Sequence, residues 1–267
     1  MIELLRQQLN PQMTDEEKLN RLREALQLAA LKSLYDAGAF DNLSFTGGTA
    51  LRLVFGLRRF SEDLDFSLFE KKGYSFEKLT GELTRGFGLL GLPIEAKPKV
   101  LKTVQSVMLK FPGVLKSVGL SPLQDQKLLI KLDVDTNPPK GGELTSSLIN
   151  RMYMFSCVHY DLPSLFATKL HACFYRVYLK GRDYYDLIWY LSRKVKPNLL
   201  LLNNAIAQTQ GKNPRLDENS FKKFLLEHLE KVDLLSAKKD VERFLEDKTE
   251  LALFDSKAIQ AAIENAY

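Results

Sequence analysis

The chain has 267 residues, of which 45% are hydrophobic and 27% charged, and its formal net charge is +5. No apolar run approaches the roughly 18 residues of a membrane span, and the N-terminus lacks the basic and apolar regions of a signal peptide, so we expect a cytoplasmic protein without a membrane partner. Cys157 and Cys173 lack a metal-binding spacing and are predicted to be reduced thiols in the core.

The first predicted element is a long helix over residues 14–36. Thr14 can cap it, Glu17 lies in the first turn, and apolar side chains recur behind them at helical spacing. A short apolar segment over residues 43–46 follows. It leads into Gly47-Gly48-Thr49 and then into a second run with helical spacing. Because glycine lets backbone N–H groups approach a ligand, and a helix start favours anions, this turn is predicted to bind phosphate.

Two aspartates alternate with apolar residues in the next segment, Asp63-Leu64-Asp65-Phe66. In a strand, successive side chains point to opposite faces, so the two carboxylates share one face while the apolar side chains enter a core. Carboxylates about 6–7 Å apart repel each other unless a cation lies between them. A hard divalent cation such as Mg²⁺, or Mn²⁺, suits this pair.

The remainder of the N-terminal half mixes helix and strand. In one alternating segment Lys131, Asp133 and Asp135 share a face. Arg52, Arg58 and Arg59 are candidates for phosphate or nucleic-acid contacts. The predicted elements are a helix over residues 75–91 and strands over 99–111, 127–136 and 152–160.

The C-terminal half is predicted to be entirely helical. Lys169 lies on an otherwise apolar helix, where an ammonium usually needs an anion. Asp183 follows a glycine and has two interpretations, a functional carboxylate or the cap of the next helix. The predicted helices cover residues 165–179, 183–192, 198–208, 218–231, 233–246 and 255–265. The fold class is therefore α+β, with a mixed domain over residues 1–160 and a helical domain over 161–267.

The glycine turn and the paired acids together resemble the nucleotidyltransferase superfamily related to DNA polymerase β. The finer wording, Gly-Gly-Thr-Ala-Leu-Arg at 47–52 and Arg-Phe-Ser-Glu-Asp-Leu-Asp-Phe at 59–66, resembles its AbiEii/AbiGii toxin branch. This resemblance implies a small mixed sheet with flanking helices, followed by a helical domain that completes the active-site cleft.

A second stretch carries the same resemblance, Ala-Thr-Lys-Leu-His-Ala at 167–172 followed by Arg-Asp-Tyr-Tyr-Asp-Leu at 182–187. In that family the lysine contacts nucleotide phosphates and an aspartate of the second motif is needed for activity. The resemblance implies these roles for Lys169 and Asp183, with Asp186 as a structural partner or substitute. It also implies a third metal-binding carboxylate on a neighbouring strand, Asp133 or Asp135, and we favour Asp133 because residues 131–134 resemble the family's Lys-x-(Asp/Glu)-Ile segment.

The predicted function is a Mg²⁺-dependent nucleotidyltransferase toxin that transfers a nucleotide from an NTP to RNA. The resemblance implies the tRNA 3′ end as acceptor and a separately encoded antitoxin as partner. The alternatives are nucleotidylation of a protein and a non-catalytic binding module. Basic residues and tyrosines near the second motif are candidates to contact RNA phosphates and bases. The predicted catalytic residues are Asp63, Asp65, Asp133, Lys169 and Asp183; the nucleotide-binding residues are Gly47, Gly48, Thr49, Arg52 and Lys169; the metal ligands are Asp63, Asp65 and Asp133, with Asp135 as the alternative; the candidate RNA contacts are Tyr178, Lys180, Arg182, Tyr184, Tyr185, Arg193, Lys194 and Lys196.

Overall fold

The computed structural model describes residues 1–101 and 103–267. Lys102, inside the predicted strand 99–111, lies outside the described residues. The chain forms two compact units: the first comprises residues 1–55, 60–138 and 145–159, and the second comprises 56–59, 139–144 and 160–267. The predicted division into residues 1–160 and 161–267 stays a prediction.

Helices and strands alternate in the first unit, and helices make up most of the second. The strands are β1 (Leu43–Thr46), β2 (Leu64–Leu68), β3 (Glu95–Leu101), β4 (Val104–Phe111), β5 (Leu128–Asp135), β6 (Leu144–Asn150) and β7 (Met154–Tyr160). The helices are α1 (Ile2–Gln7), α2 (Asp15–Asp36), α3 (Gly47–Phe55), α4 (Phe76–Leu89), α5 (Val114–Ser117), α6 (Leu162–Tyr175), α7 (Gly181–Ser192), α8 (Leu199–Gln210), α9 (Glu218–Leu229), α10 (Leu234–Val241) and α11 (Ser256–Ala266).

Within the described residues the strands form one seven-stranded mixed sheet in the order β3-β4-β5-β2-β1-β7-β6. β2 runs antiparallel to β1 and parallel to β5, and β4 runs antiparallel to β5. Leu64 and Phe66 of β2 and Leu132 and Val134 of β5 are buried in one apolar core. Because side chains alternate along a strand, the aspartates between them lie on the opposite face of the sheet.

Local sequence signals account well for the first unit. Thr14 and Glu17 form a reciprocal capping box at the start of α2, which confirms the predicted helix start. The alternation predicted for residues 127–136 is confirmed in β5. Strand β6 was not predicted, because its sequence, Leu-Thr-Ser-Ser-Leu-Ile-Asn, has few apolar residues and no regular alternation.

In the second unit α7 packs against α6, α10 and α11. A Cβ added to Gly181 at the start of α7 would lie 1.8 Å from the carbonyl oxygen of Ala237 in α10, so only glycine permits this approach. The prediction of a helix over residues 165–179 is wrong at its end. α6 stops at Tyr175, and Arg176 is extended with its side chain paired with Asp183.

Candidate active site

The turn between β1 and α3 is built around Gly47. This residue has φ +73°, a region that L-residues with a Cβ rarely adopt. A Cβ here would lie 2.3 Å from the Oδ2 atom of Asp65. Glycine therefore does two things at once: it allows the sharp entry into α3 and it leaves room for the Asp65 carboxylate.

The first turn of α3 is tied to the segment that enters β2. The Thr49 hydroxyl donates a hydrogen bond to the backbone carbonyl of Asp63, and Thr49 is fully buried. Thr49, predicted to bind phosphate, thus has its hydroxyl in a structural contact. Gly48 is buried beside it. The first N–H groups of a helix have no partner within the helix, so this turn can still offer backbone donors to an anion.

Three aspartates of the first unit, Asp63, Asp65 and Asp133, raise the pKa of Lys131 through their charges, and we call them the acidic patch. Asp65 and Asp133 are direct partners in the parallel pairing of β2 with β5. The Lys131 ammonium lies 2.5 Å from Oδ2 of Asp133. Burial alone would lower the pKa of Lys131, but the charges of Asp133, Asp63 and Asp65 outweigh burial and hold that pKa above its ordinary value.

The acidic patch has the chemistry of a divalent cation site. Its donors are hard carboxylate oxygens, which Mg²⁺ and Mn²⁺ prefer, and the Lys131 ammonium stands in for a cation beside them. The Ser106 hydroxyl donates to the other Asp133 oxygen and orients that carboxylate. Among the described residues, no group of three or more His, Cys, Asp or Glu side chains is arranged to hold a metal as it stands. The three aspartates would therefore have to move closer together to coordinate a metal ion.

Asp135, the alternative third ligand, has a different local role. It lies on the same face of β5, but its carboxylate accepts a hydrogen bond from the backbone N–H of Asn137 at 2.9 Å. This contact closes the turn after the strand. Burial raises the pKa of the Asp135 carboxyl group, and the bond from Asn137 only partly offsets this.

Arg52, predicted to contact phosphate, is buried in an ion pair. Its guanidinium bonds to Glu24 of α2 and lies 4.0 Å above the centre of the Phe60 ring. Arg151 approaches the same Glu24 carboxylate at 3.6 Å. With 3% of its surface exposed, Arg52 supports the packing of α3 on α2 in this structure.

The second unit contains a buried charge network formed by Arg59, Lys169, Arg176, Asp183 and Asp186. The Lys169 ammonium lies 2.7 Å from Asp183 and 2.8 Å from Asp186. Arg59 forms a two-pronged pair with Asp186, with both bonds at 2.6 Å. Arg176 lies 2.6 Å from the second oxygen of Asp183. The expectation that Lys169 needs an anion is thus met by the protein's own carboxylates.

Mutual compensation keeps this charge network ionised. Burial would raise the pKa of Asp183, but Lys169 and Arg176 outweigh it and hold the pKa below its ordinary value. Burial would lower the pKa of Lys169, but Asp183 and Asp186 outweigh it. The interpretation of Asp183 as a helix cap is wrong, because α7 begins after Lys180 and has no side-chain cap bond.

The residues proposed to contact RNA divide into buried and exposed groups. Tyr184 and Tyr185 are buried, and their hydroxyls bond to the carbonyl of Cys173 and to Glu250. They belong to the core of the second unit. Tyr178 remains 61% exposed. Of the basic residues, Arg182 lies over the Phe244 ring, Arg193 lies over the Trp189 ring and Lys196 faces Glu218.

Sequence reasoning gave no site role to Ser106, Arg176 or Lys131, and it placed Arg59 among the phosphate contacts. Lys131 carried a usable signal, since its spacing from Asp133 puts both on one strand face. Arg59 and Ser106 carried none, because their partners Asp186 and Asp133 are distant in sequence.

Solved structures with a similar fold are known. The fold is similar to the crystal structure of JHP933 from Helicobacter pylori, with a TM-score of 0.54 and 23% identity over 91% of this chain and 90% of that one. It is also similar to the crystal structure of a candidate nucleotidyltransferase from H. pylori, with a TM-score of 0.55 and 22% identity over 97% of this chain and 96% of that one. A comparison with curated proteins found no match.

The glycine turn and the strand-borne aspartates lie on a mixed sheet, and both solved structures share this fold. Residues 29–265 match the family described as the nucleotidyl transferase AbiEii toxin of type IV toxin–antitoxin systems. The chain belongs to this family. Among the described residues, no helix has the length and apolar character needed to cross a membrane.

Proposed function

We propose that the protein transfers a nucleotide from an NTP to an RNA acceptor, the 3′ end of tRNA, with Mg²⁺ or Mn²⁺ as cofactor. One observation carries the proposal: Asp65 of the acidic patch lies beside the Gly47 turn, and Asp133 of the same patch binds the Lys131 ammonium. The N–H groups proposed to bind phosphate and the oxygens proposed to bind the cation are therefore neighbours, as a metal-bound triphosphate requires.

Each residue of the first unit then has a distinct task. Asp63, Asp65 and Asp133 would hold the metal, which supplies charge neutralisation at the triphosphate and activation of the acceptor hydroxyl. Gly47 keeps the Asp65 carboxylate in place, and the backbone N–H groups that follow it bind phosphate oxygens. Catalysis by such a site rests on alignment and on stabilising charge, without a covalent intermediate.

The charge network of the second unit supports a role in handling the leaving pyrophosphate. Three cations, Arg59, Lys169 and Arg176, face two carboxylates, so the network carries one net positive charge. Lys169 neutralises phosphate charge in this proposal, while Asp183 and Asp186 fix the position of its ammonium. A positively charged network attracts a polyanion.

Family membership implies an antitoxin partner. We place the encounter of toxin, NTP, RNA and antitoxin in the cytoplasm. The antitoxin then limits growth arrest by a toxin that consumes NTP at the tRNA end.

The proposal is tested by incubating the purified protein with each of four α-labelled NTPs, total tRNA and lysate protein, with Mg²⁺ or with a chelator. We expect label in tRNA that depends on the metal and is lost in an Asp65→Asn variant. Label found only in protein would replace RNA with a protein acceptor. Growth arrest by the Asp65→Asn variant equal to wild type would instead favour a binding module.

A further inference from the structure

An exposed loop joins α6 to α7 in the second unit, and we call residues 176–180 the Tyr178 loop. Its sequence is Arg-Val-Tyr-Leu-Lys. Val177 is fully exposed and Tyr178 is 61% exposed, although most aromatic side chains of this unit lie in its core. Exposed neighbouring apolar side chains have no packing role within the folded unit, which points to an external ligand.

Both ends of the Tyr178 loop are anchored. Arg176 pairs with the buried Asp183 at 2.6 Å. At the other end the backbone N–H of Gly181 donates to Asp240 at 2.7 Å, and Gly181 packs directly against the backbone of Ala237. The loop is thus held at both ends, so ligand binding costs little conformational entropy of the loop.

Two cationic side chains lie near the Tyr178 ring. The guanidinium carbon of Arg176 and the ammonium of Lys180 each lie 5.6 Å from the ring centre. Arg182 follows two residues later, and the sequence from 176 to 182 has no acidic residue. An aromatic face flanked by cations is the combination that binds single-stranded nucleic acid, because the ring stacks on a base while the cations meet phosphates.

We propose that the Tyr178 loop binds the unpaired end of the RNA acceptor, with the Tyr178 ring stacked on a base and Lys180 facing an adjacent phosphate. This inference rests on the proposed function and assigns a binding surface to its acceptor. It also links acceptor binding to the site, since Arg176 of the loop contacts Asp183, which in turn holds Lys169.

A protein partner is the competing occupant, and composition argues against it. Tyrosine and arginine are common at protein interfaces, but lysine is depleted there, and the Tyr178 loop ends in Lys180. Nucleic acid also accounts for the absence of acidic residues from 176 to 182, because each phosphate contact needs a cation.

The test compares the wild type with Tyr178→Ala, Tyr178→Trp and a matched control, Tyr35→Ala. Tyr35 is 42% exposed and has Lys32 at 5.7 Å from its ring, but it lies on α2 in the first unit. Two readouts are used: the KM values for tRNA and for NTP in label transfer, and the affinity for a fluorescein-labelled single-stranded oligoribonucleotide measured by anisotropy.

We expect Tyr178→Ala to raise the KM for tRNA and weaken oligonucleotide binding by about 5- to 100-fold, the range for loss of one stacked base. The KM for NTP stays within about twofold because no NTP contact is assigned to this ring. Tyr178→Trp retains binding, and Tyr35→Ala matches the wild type.

The inference is overturned if Tyr178→Ala binds the oligonucleotide as tightly as the wild type, or if its KM for tRNA is unchanged. Failure of the proposed function looks different: the wild type then transfers no label to tRNA, while anisotropy still reports whether the loop binds RNA.

Discussion

Replacement of Gly47 by alanine separates backbone strain from displacement of a site carboxylate. Gly47 has φ +73°, where an alanine costs about 1–2 kcal/mol, partly offset by about 0.4–1 kcal/mol from a stiffer unfolded chain. The new Cβ would also lie 2.3 Å from Asp65 Oδ2. The carboxylate must retreat by about 1 Å to reach ordinary contact, and a displacement of that size costs about 100-fold in rate.

Gly73→Ala provides the matched control. Gly73 has φ +79°, and no described atom lies within 4 Å of the position its Cβ would take. Urea unfolding of both variants should therefore show a similar loss of about 1 kcal/mol. Only Gly47→Ala should lose about 100-fold in initial rate of label transfer to tRNA. A Gly47→Ala variant that keeps wild-type kcat, or a Gly73→Ala variant equally inactive, would refute the reasoning.

Three further predictions concern charged residues. Asp133→Asn should lower kcat by about 100- to 1000-fold, the loss typical of one electrostatic stabiliser. Asp135→Asn should keep most activity, since that carboxylate closes a turn. If Asp135→Asn transfers label more slowly than Asp133→Asn, Asp135 and not Asp133 is the third metal ligand. Lys131→Met should tighten Mn²⁺ binding about three- to tenfold, because the ammonium no longer competes for Asp133. The control Lys127→Met removes a lysine that pairs with Glu95, so it should leave Mn²⁺ binding unchanged. Electron paramagnetic resonance of free Mn²⁺ measures the affinity of both variants. Asp186→Asn should lower the free energy of unfolding by about 3–5 kcal/mol, because Arg59 loses its buried counter-charge; urea unfolding that matches the wild type would contradict this.

The parts of the molecule that the sequence predicts are those governed by near neighbours. The capping box of Thr14 and Glu17 and the strand alternation around Asp133 involve residues a few positions apart. Gly47 was recognisable because a helix-like run follows it directly. In these places local propensity, periodicity and turn chemistry agree.

The parts that the sequence did not predict depend on distant partners. Arg52 looked like a phosphate ligand, but Glu24 on another helix holds it. Lys169 did need an anion, yet its nearest anions are Asp183 and Asp186, which the sequence suggested for separate tasks. Long charged side chains choose partners through the tertiary fold, and no periodicity encodes that choice.

The pairing of Arg59 with Asp186 has a consequence for synthesis of the toxin. During synthesis Arg59 leaves the ribosome early. Asp186, whose carboxylate binds the Arg59 guanidinium, emerges only after most of the chain has been made. Until then the arginine stays hydrated and lacks its buried counter-charge. A prematurely terminated chain that ends before residue 186 cannot complete this unit, and a fragment that starts at residue 160 lacks the arginine. Neither fragment alone therefore contains the complete charge network.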